Sequence, residues 1–300
     1  MKRLIFLFVL VFMALSVSAQ VSVTRKSKPT TTKSAAKPSR QPAAKPKSTT
    51  KKRTVTSKRR AKTSSSSASP NKSQIIDNLI SNMVNVDGGT FTMGATPEQG
   101  SEAKSDEYPS HQVTLSSFCI GRYEVTQEEW KAVMGSNPSK FKGAKRPVEM
   151  VSWDDCQTFI SKLNALTGKY FRLPTEAEWE FAARGGNSSR GYIYAGSNDI
   201  DSVAVYGDTK GQTFEVGSKQ PNELGLYDMT GNVWEWCSDW YDENYYKSSP
   251  QSNPQGAAYG SNRVLRSGWW FFSSRSCRVS HRSYSAPDTR SRNLGFRLAL

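Results

Sequence analysis

Apolar side chains recur at helical spacing after Ser152. Trp153, Cys156, Ile160 and Leu163 fall on one face of a helix that Gly168 can stop. Ser152 can cap that helix, and Asp154 and Asp155 lie in its positive first turn. Thr126-Gln-Glu-Glu129 and Thr175-Glu-Ala-Glu178 each carry a capping box, in which the Thr hydroxyl satisfies an amide and the Glu reaches back. These predict helices over 128–134 and 179–184. A weaker amphipathic turn over 75–80 precedes the first strand-like run.

Those runs are short: 83–86, 90–93, 112–118, 264–266 and 296–300. Between them lie stretches rich in Gly, Asn, Ser and Pro, notably 95–111, 185–225 and 242–262. Loops this long are uncommon unless they are functional or pinned. The pattern predicts an α+β class with sparse regular structure. No internal repeat is visible, and all eight tryptophans lie within 73–300, which suits one domain.

The first residues follow a different pattern. Lys2 and Arg3 precede an apolar run from Leu4 to Leu15, then Val17-Ser18-Ala19. The run is too short to cross ~30 Å of hydrocarbon, so 1–19 reads as a secretory signal peptide cleaved after Ala19. The expectation is a secreted or periplasmic protein with no transmembrane span after cleavage. Residues 20–72 are Lys, Ser, Thr, Ala, Pro and Arg with no Trp, Phe or Tyr, which predicts a disordered arm.

Charge follows the same division. The chain carries +15 formally, but 18 of its 41 basic residues and none of its 26 acidic ones lie in 1–72. The remainder holds 23 basic against 26 acidic residues, so the domain is near neutral and nucleic acid is not expected as a partner. The arm could rest on an anionic surface or act as a solvated spacer. Cys119, Cys156, Cys237 and Cys277 are an even number in a chain expected in an oxidising compartment. They are candidates for two disulfides or for small buried thiols.

The two histidines, His111 and His281, cannot build a three-His iron or zinc site, and each reads as a surface or hydrogen-bonding residue. No P-loop, HExxH or dinucleotide fingerprint occurs.

Six ordered segments carry a resemblance: GGTFTMG (88–94), YEVTQEEW (123–130), PVEMVSWDD (147–155), RLPTEAEWEFAARGG (172–186), GLYDMTGNVWEWCSDW (225–240) and NLGFRLA (293–299). Together they resemble the formylglycine-generating enzyme, or sulfatase-modifying factor, family over about 83–300. The resemblance implies a loop-rich variant of the C-type lectin fold. It also implies, in oxidase members, conversion of a sulfatase cysteine to formylglycine with O₂ and copper held by two cysteines. Other bacterial relatives are histidine-iron enzymes, which the histidine count argues against, or non-enzymatic envelope components.

In oxidase members the cysteine pair lies between a GGS-like turn and an Arg-x-x-x-Arg segment. Here those look like Ser267-Gly268-Trp269 and Arg278 with Arg282, and the interval reads WWFFSSRSCR. Cys277 is its sole sulfur. Ser273, Ser274 and Ser276 cannot hold Cu(I), so copper and oxidase activity are not expected. The family's two structural disulfides fall on Ile160 with Leu298 and on Ala183 with Val279, all apolar here. Cys237 with Cys277, and Cys119 with Cys156, are then the candidate bridges. The aromatic run, if extended, would send two of four rings outward. Trp269, Trp270 and Arg275 are the candidate contacts for a peptide, glycan or envelope protein, or else the rings fill the shortened loop.

The segment 228–235 resembles a family calcium site, with ligands Asp228, Met229 O, Gly231 O, Val233 O and Glu235. Two carboxylates on a Gly-containing turn suit Ca²⁺, though a capped turn with solvated acids would look the same. A second family site would fall near 202–213, where Asp208 is the available acid. The expected role is an exported, non-catalytic binding or scaffold domain, with the formylglycine-generating oxidase as the alternative.

Overall fold

A computed structural model describes residues 70–300 except 208–210. The expected signal peptide, nearly all of the expected arm, and Asp208 lie outside the described residues. None of the described helices is long and apolar enough to cross a membrane.

The described chain opens with α1 (Lys72–Ser81), capped by Asn71. Next come β1 (Met83–Val86), β2 (Gly89–Met93), β3 (His111–Leu115) and β4 (Phe118–Gly121). The expected single strand over 112–118 is two. β3 pairs with β2 and β4 with β1, each antiparallel. Between them the Ser117 hydroxyl accepts from Gly88 N, and Asn253 Oδ1 takes Ser116 N, so the two halves serve different partners.

Three helices follow: α2 (Gln127–Met134), α3 (Trp153–Thr167) and α4 (Glu176–Ala183). Their starts obey the sequence. Thr126, Ser152 and Thr175 each accept from the amide three residues on, and Glu129, Asp155 and Glu178 reach back. Gly168 ends α3 at φ 68°, in the left-handed region that favours glycine.

After the one-turn helix α5 (Ile200–Val203) come β5 (Trp234–Trp240), β6 (Arg263–Arg266), β7 (Ser283–Ser285) and β8 (Leu294–Gly295). They form a sheet in the order β7-β6-β5-β8, antiparallel except for β5 with β8. β5 was not legible as a strand, because Glu235 and Asp239 break its apolar pattern yet are buried. The run 296–300 makes only bridge-type pairings, Ala299 with Ile120 and with Arg172. The long loops carry short 3₁₀ turns at Pro97–Glu102, Ser105–Glu107, Gly186–Ser188 and Tyr245–Lys247.

Two apolar clusters fill the domain. One gathers Trp130, Phe159, Leu163, Trp236 and Phe296; the other gathers Val113, Ile120, Trp179, Phe181 and Val264. Ile160 and Leu298 share the first, and Ala183 and Val279 the second.

Candidate functional site

β6 delivers the chain into the segment of interest through buried charge. Arg266, fully buried, donates to Glu176 and to Glu180, each at 2.8 Å. Arg282 grips Glu176 at 2.7 and 2.9 Å, and Arg278 grips Glu107 at 2.8 and 2.6 Å. Burial alone would push the Glu176 carboxyl up, but the Arg282 and Arg266 guanidiniums hold it below the usual carboxylate range. The arginines around the loop are therefore committed to fixing its ends.

The loop itself is a turn, not an extended strand. Ser267 and Gly268 have φ of 90° and 86°. Phe272 N donates to Trp269 O, and Ser274–Cys277 form a 3₁₀ turn. Side chains therefore do not alternate. Trp270, an expected contact residue, is 2% exposed, edge-on to Phe141 at 5.6 Å. Trp269 is half-buried, and the outward rings are Phe271 and Phe272, 54% and 42% exposed. Two rings do point out, but they are the phenylalanines. Arg275 is exposed and pairs with Glu102 at 2.9 Å. An ion pair so exposed adds ~0–1 kcal/mol to stability.

Behind the lip, Trp234 meets Phe272 edge-on at 6.3 Å and stacks on His281 at 5.7 Å. His281 is buried, and neither ring nitrogen has a partner among the described residues, which corrects the surface or hydrogen-bonding reading. Burial, with Lys104 nearby, pushes its imidazole down to about 3. His111 Nδ1 donates to Pro109 O at 3.1 Å, and the ring meets Tyr246 edge-on.

All four cysteines are free thiols, so the disulfide expectation is corrected. Cys156 and Cys237 belong to different apolar clusters, and Cys119 is half-buried on β4 with Sγ 3.9 Å from Asn85 Oδ1. Cys277 packs under the turn so closely that a Cβ on Gly268 would stand 2.8 Å from its Sγ. Burial pushes this thiol up to about 12, against a small opposing effect of the Trp269 amide. Its thiolate is strongly disfavoured, which removes the nucleophilic and soft-ligand form.

The 228–235 turn is held internally. Glu235 takes Arg297 Nε and Nη2 at 2.6 Å each, and Trp179 Nε1 at 2.7 Å. Asp228, at φ 57°, accepts from Gly217 N at 2.7 Å. The Ser267 hydroxyl lies 3.2 Å from Asp228 O and 2.9 Å from Gly231 O. Glu124 accepts from Val233 N and Asn232 Nδ2. Burial pushes Asp228 up to about 6, and raises Glu124 well above its usual range with help from Asp228 and Glu235. Calcium needs six to eight oxygens with free lone pairs. With Glu235 and Gly231 O already engaged, this donor set does not fit the expected ion, and Arg297 supplies the positive charge instead.

Three comparisons place the chain among known proteins. A family description, "Sulfatase-modifying factor enzyme 1-like domain", matches residues 68–300. The chain is similar to "Chaperone protein LppX" of Paenibacillus barcinonensis, 36% identical over 66% of this chain and 82% of that one. It is similar to a formylglycine-generating enzyme of Streptomyces coelicolor, 38% identical over 58% of this chain and 59% of that one. Among solved structures, Treponema denticola variable protein 1 matches at TM-score 0.65 and 35% identity, over 72% of this chain and 94% of that one.

Proposed function

The chain belongs to the sulfatase-modifying factor enzyme 1-like family, and we propose that it serves as an exported binding or scaffold domain without cysteine-oxidase chemistry. Cys277 carries this reading. Where oxidase members are expected to need two thiolates, this chain offers one thiol, buried beneath Gly268 and pushed up to about 12. Hydroxyls and rings occupy the rest of the segment, and neither can exchange with a substrate thiol.

The surface left in place of that chemistry is the lip of Phe271 and Phe272, rimmed by Arg275. Two adjacent exposed rings beside a cation suit an extended peptide of an envelope protein, with apolar anchoring and one charged contact. The sixteen basic residues between Val21 and Lys72 would add attraction to an anionic surface. The name of the relative from P. barcinonensis, a chaperone, is compatible with a binding role.

The identity with the S. coelicolor enzyme favours the alternative, a formylglycine-generating oxidase. The two readings separate in one assay. A sulfatase-motif peptide incubated with the full chain, Cu(I) and O₂ is expected to keep its cysteine. Conversion to the aldehyde, detected by mass and by hydrazide capture, would overturn the non-catalytic reading. Binding to an array of extended peptides is expected to weaken in Phe271→Ala and Phe272→Ala; equal binding would remove the lip.

A further inference from the structure

A cavity of about 310 Å³ shares no lining residue with the aromatic lip. Trp153 and Gln157 come from the first turns of α3, Arg172 and Glu178 from either side of the α4 cap, Ser238 from β5, and Gln255 from the loop before β6. From these we infer a ligand site for a neutral sugar unit, of monosaccharide to disaccharide size.

The platform is built before any ligand arrives. The Arg263 guanidinium lies 3.8 Å from the Trp153 ring centroid and 3.4 Å from that of Trp240, filling the space between the two indoles. Trp153 Nε1 donates to Cys237 O at 2.9 Å, and Arg263 Nη1 donates to Ser238 O. The Trp153 plane is thus set by a cation on one face and a hydrogen bond at its edge. A preset aromatic ring binds without losing rotamer freedom, and sugar C–H groups pack on the part of Trp153 that Arg263 and the core leave exposed.

The two charged residues that line it, Arg172 and Glu178, cancel. Arg172 and Glu178 form a two-point pair at 2.6 and 2.7 Å, so an anion would meet Glu178 and a cation would meet Arg172. Arg172 keeps Nε outside that pair, and its side chain is 42% exposed. The Gln157 amide has no partner among the described residues, and Gln255 Nε2 donates to Asn253 O, which leaves its carbonyl oxygen. Among the lining residues donors and acceptors thus stand side by side with no net charge, the complement of vicinal hydroxyls, which donate and accept at once. A lipid tail would leave these groups unpaired, at a cost that argues for a polyhydroxyl ligand. The volume is at the low end for small-molecule sites, which limits the occupant to one or two rings.

Saturation-transfer NMR of the full chain with maltose, cellobiose, lactose and N,N′-diacetylchitobiose tests the site. At least one sugar is expected to receive magnetisation. Its affinity should fall about tenfold in Gln157→Ala, the loss of one well-placed hydrogen bond. It should vanish in Gln157→Arg, which fills the cleft, while both variants keep the parent melting temperature. Binding should persist in Phe271→Ala, which separates this site from the lip. Absence of transfer to all four sugars, or equal binding in Gln157→Arg, overturns the inference.

Discussion

The Ser267 hydroxyl lies 2.9 Å from the carbonyl oxygen of Gly231, inside the turn whose spacing suggests an ion site. A residue other than glycine at φ 90° is strained, and that hydroxyl is the compensation at this position. With Glu235 bound to Arg297, the turn closes on the protein's own groups. Chelation with EDTA is therefore expected to leave the melting temperature unchanged, and added Ca²⁺ to leave it unchanged as well. A calcium-dependent rise by calorimetry would contradict this assignment.

The four aromatic residues of the loop divide sharply in structural weight. Trp270→Ala should cost ~3–5 kcal/mol of stability, because it empties a filled space beside Phe141. Phe271→Ala should cost under ~1 kcal/mol, since more than half of the ring already meets water. Urea unfolding of the two variants checks the order, and a reversal would mean the segment is extended after all.

Thiol chemistry gives a third test. Four free cysteines predict four equivalents of DTNB reaction in denaturant without prior reduction. In the native protein the half-buried Cys119 should react first. Cys277, pushed up to about 12 from 9.0, should have a thiolate fraction about a thousandfold below that of an ordinary thiol. Two equivalents in unreduced denatured protein would show a bridge.

Buried Asp239 makes stability depend on pH in a direction opposite to the usual carboxylate. Burial, then Glu176, pushes its carboxyl up to about 7 from 3.8. Between pH 4 and 7 the folded state holds a proton that the unfolded chain has released, so this contribution to stability falls as pH rises. His281 acts the other way: pushed down to about 3 from 6.5, it costs stability as pH falls through that window. Asp239→Asn should remove the loss toward pH 7, and His281→Phe the loss toward pH 4. Melting curves across pH 4–8 would refute either assignment if its variant kept the parent slope.

What the sequence revealed follows the range of the forces involved. The boxes at Thr126, Ser152 and Thr175 are hydrogen bonds within four residues, so pattern alone locates those helices. β5 depends on distant partners. Glu235 reads as a surface acid until Arg297 supplies its counter-charge from 62 positions away, and Asp239 until the Glu176 amide donates a hydrogen bond to it. The Trp-Trp-Phe-Phe run misleads because its direction is set by the bond from Phe272 N to Trp269 O, which no alternation rule contains. The six motifs identified the family because they are the segments that build the buried lattice, whereas the cleft at Trp153 and Gln157 combines four separate segments and leaves no linear signature.

Ala299 bridges to both Ile120 and Arg172, while β8 runs alongside β5, so the last residues are stitched between strands from the opening and the middle of the domain. The chain thereby closes on itself like a belt through its buckle. A protease that cut the exposed 242–262 region would sever the polymer without releasing either piece, and the nicked molecule would travel through a sizing column as one body until denaturant undid the clasp.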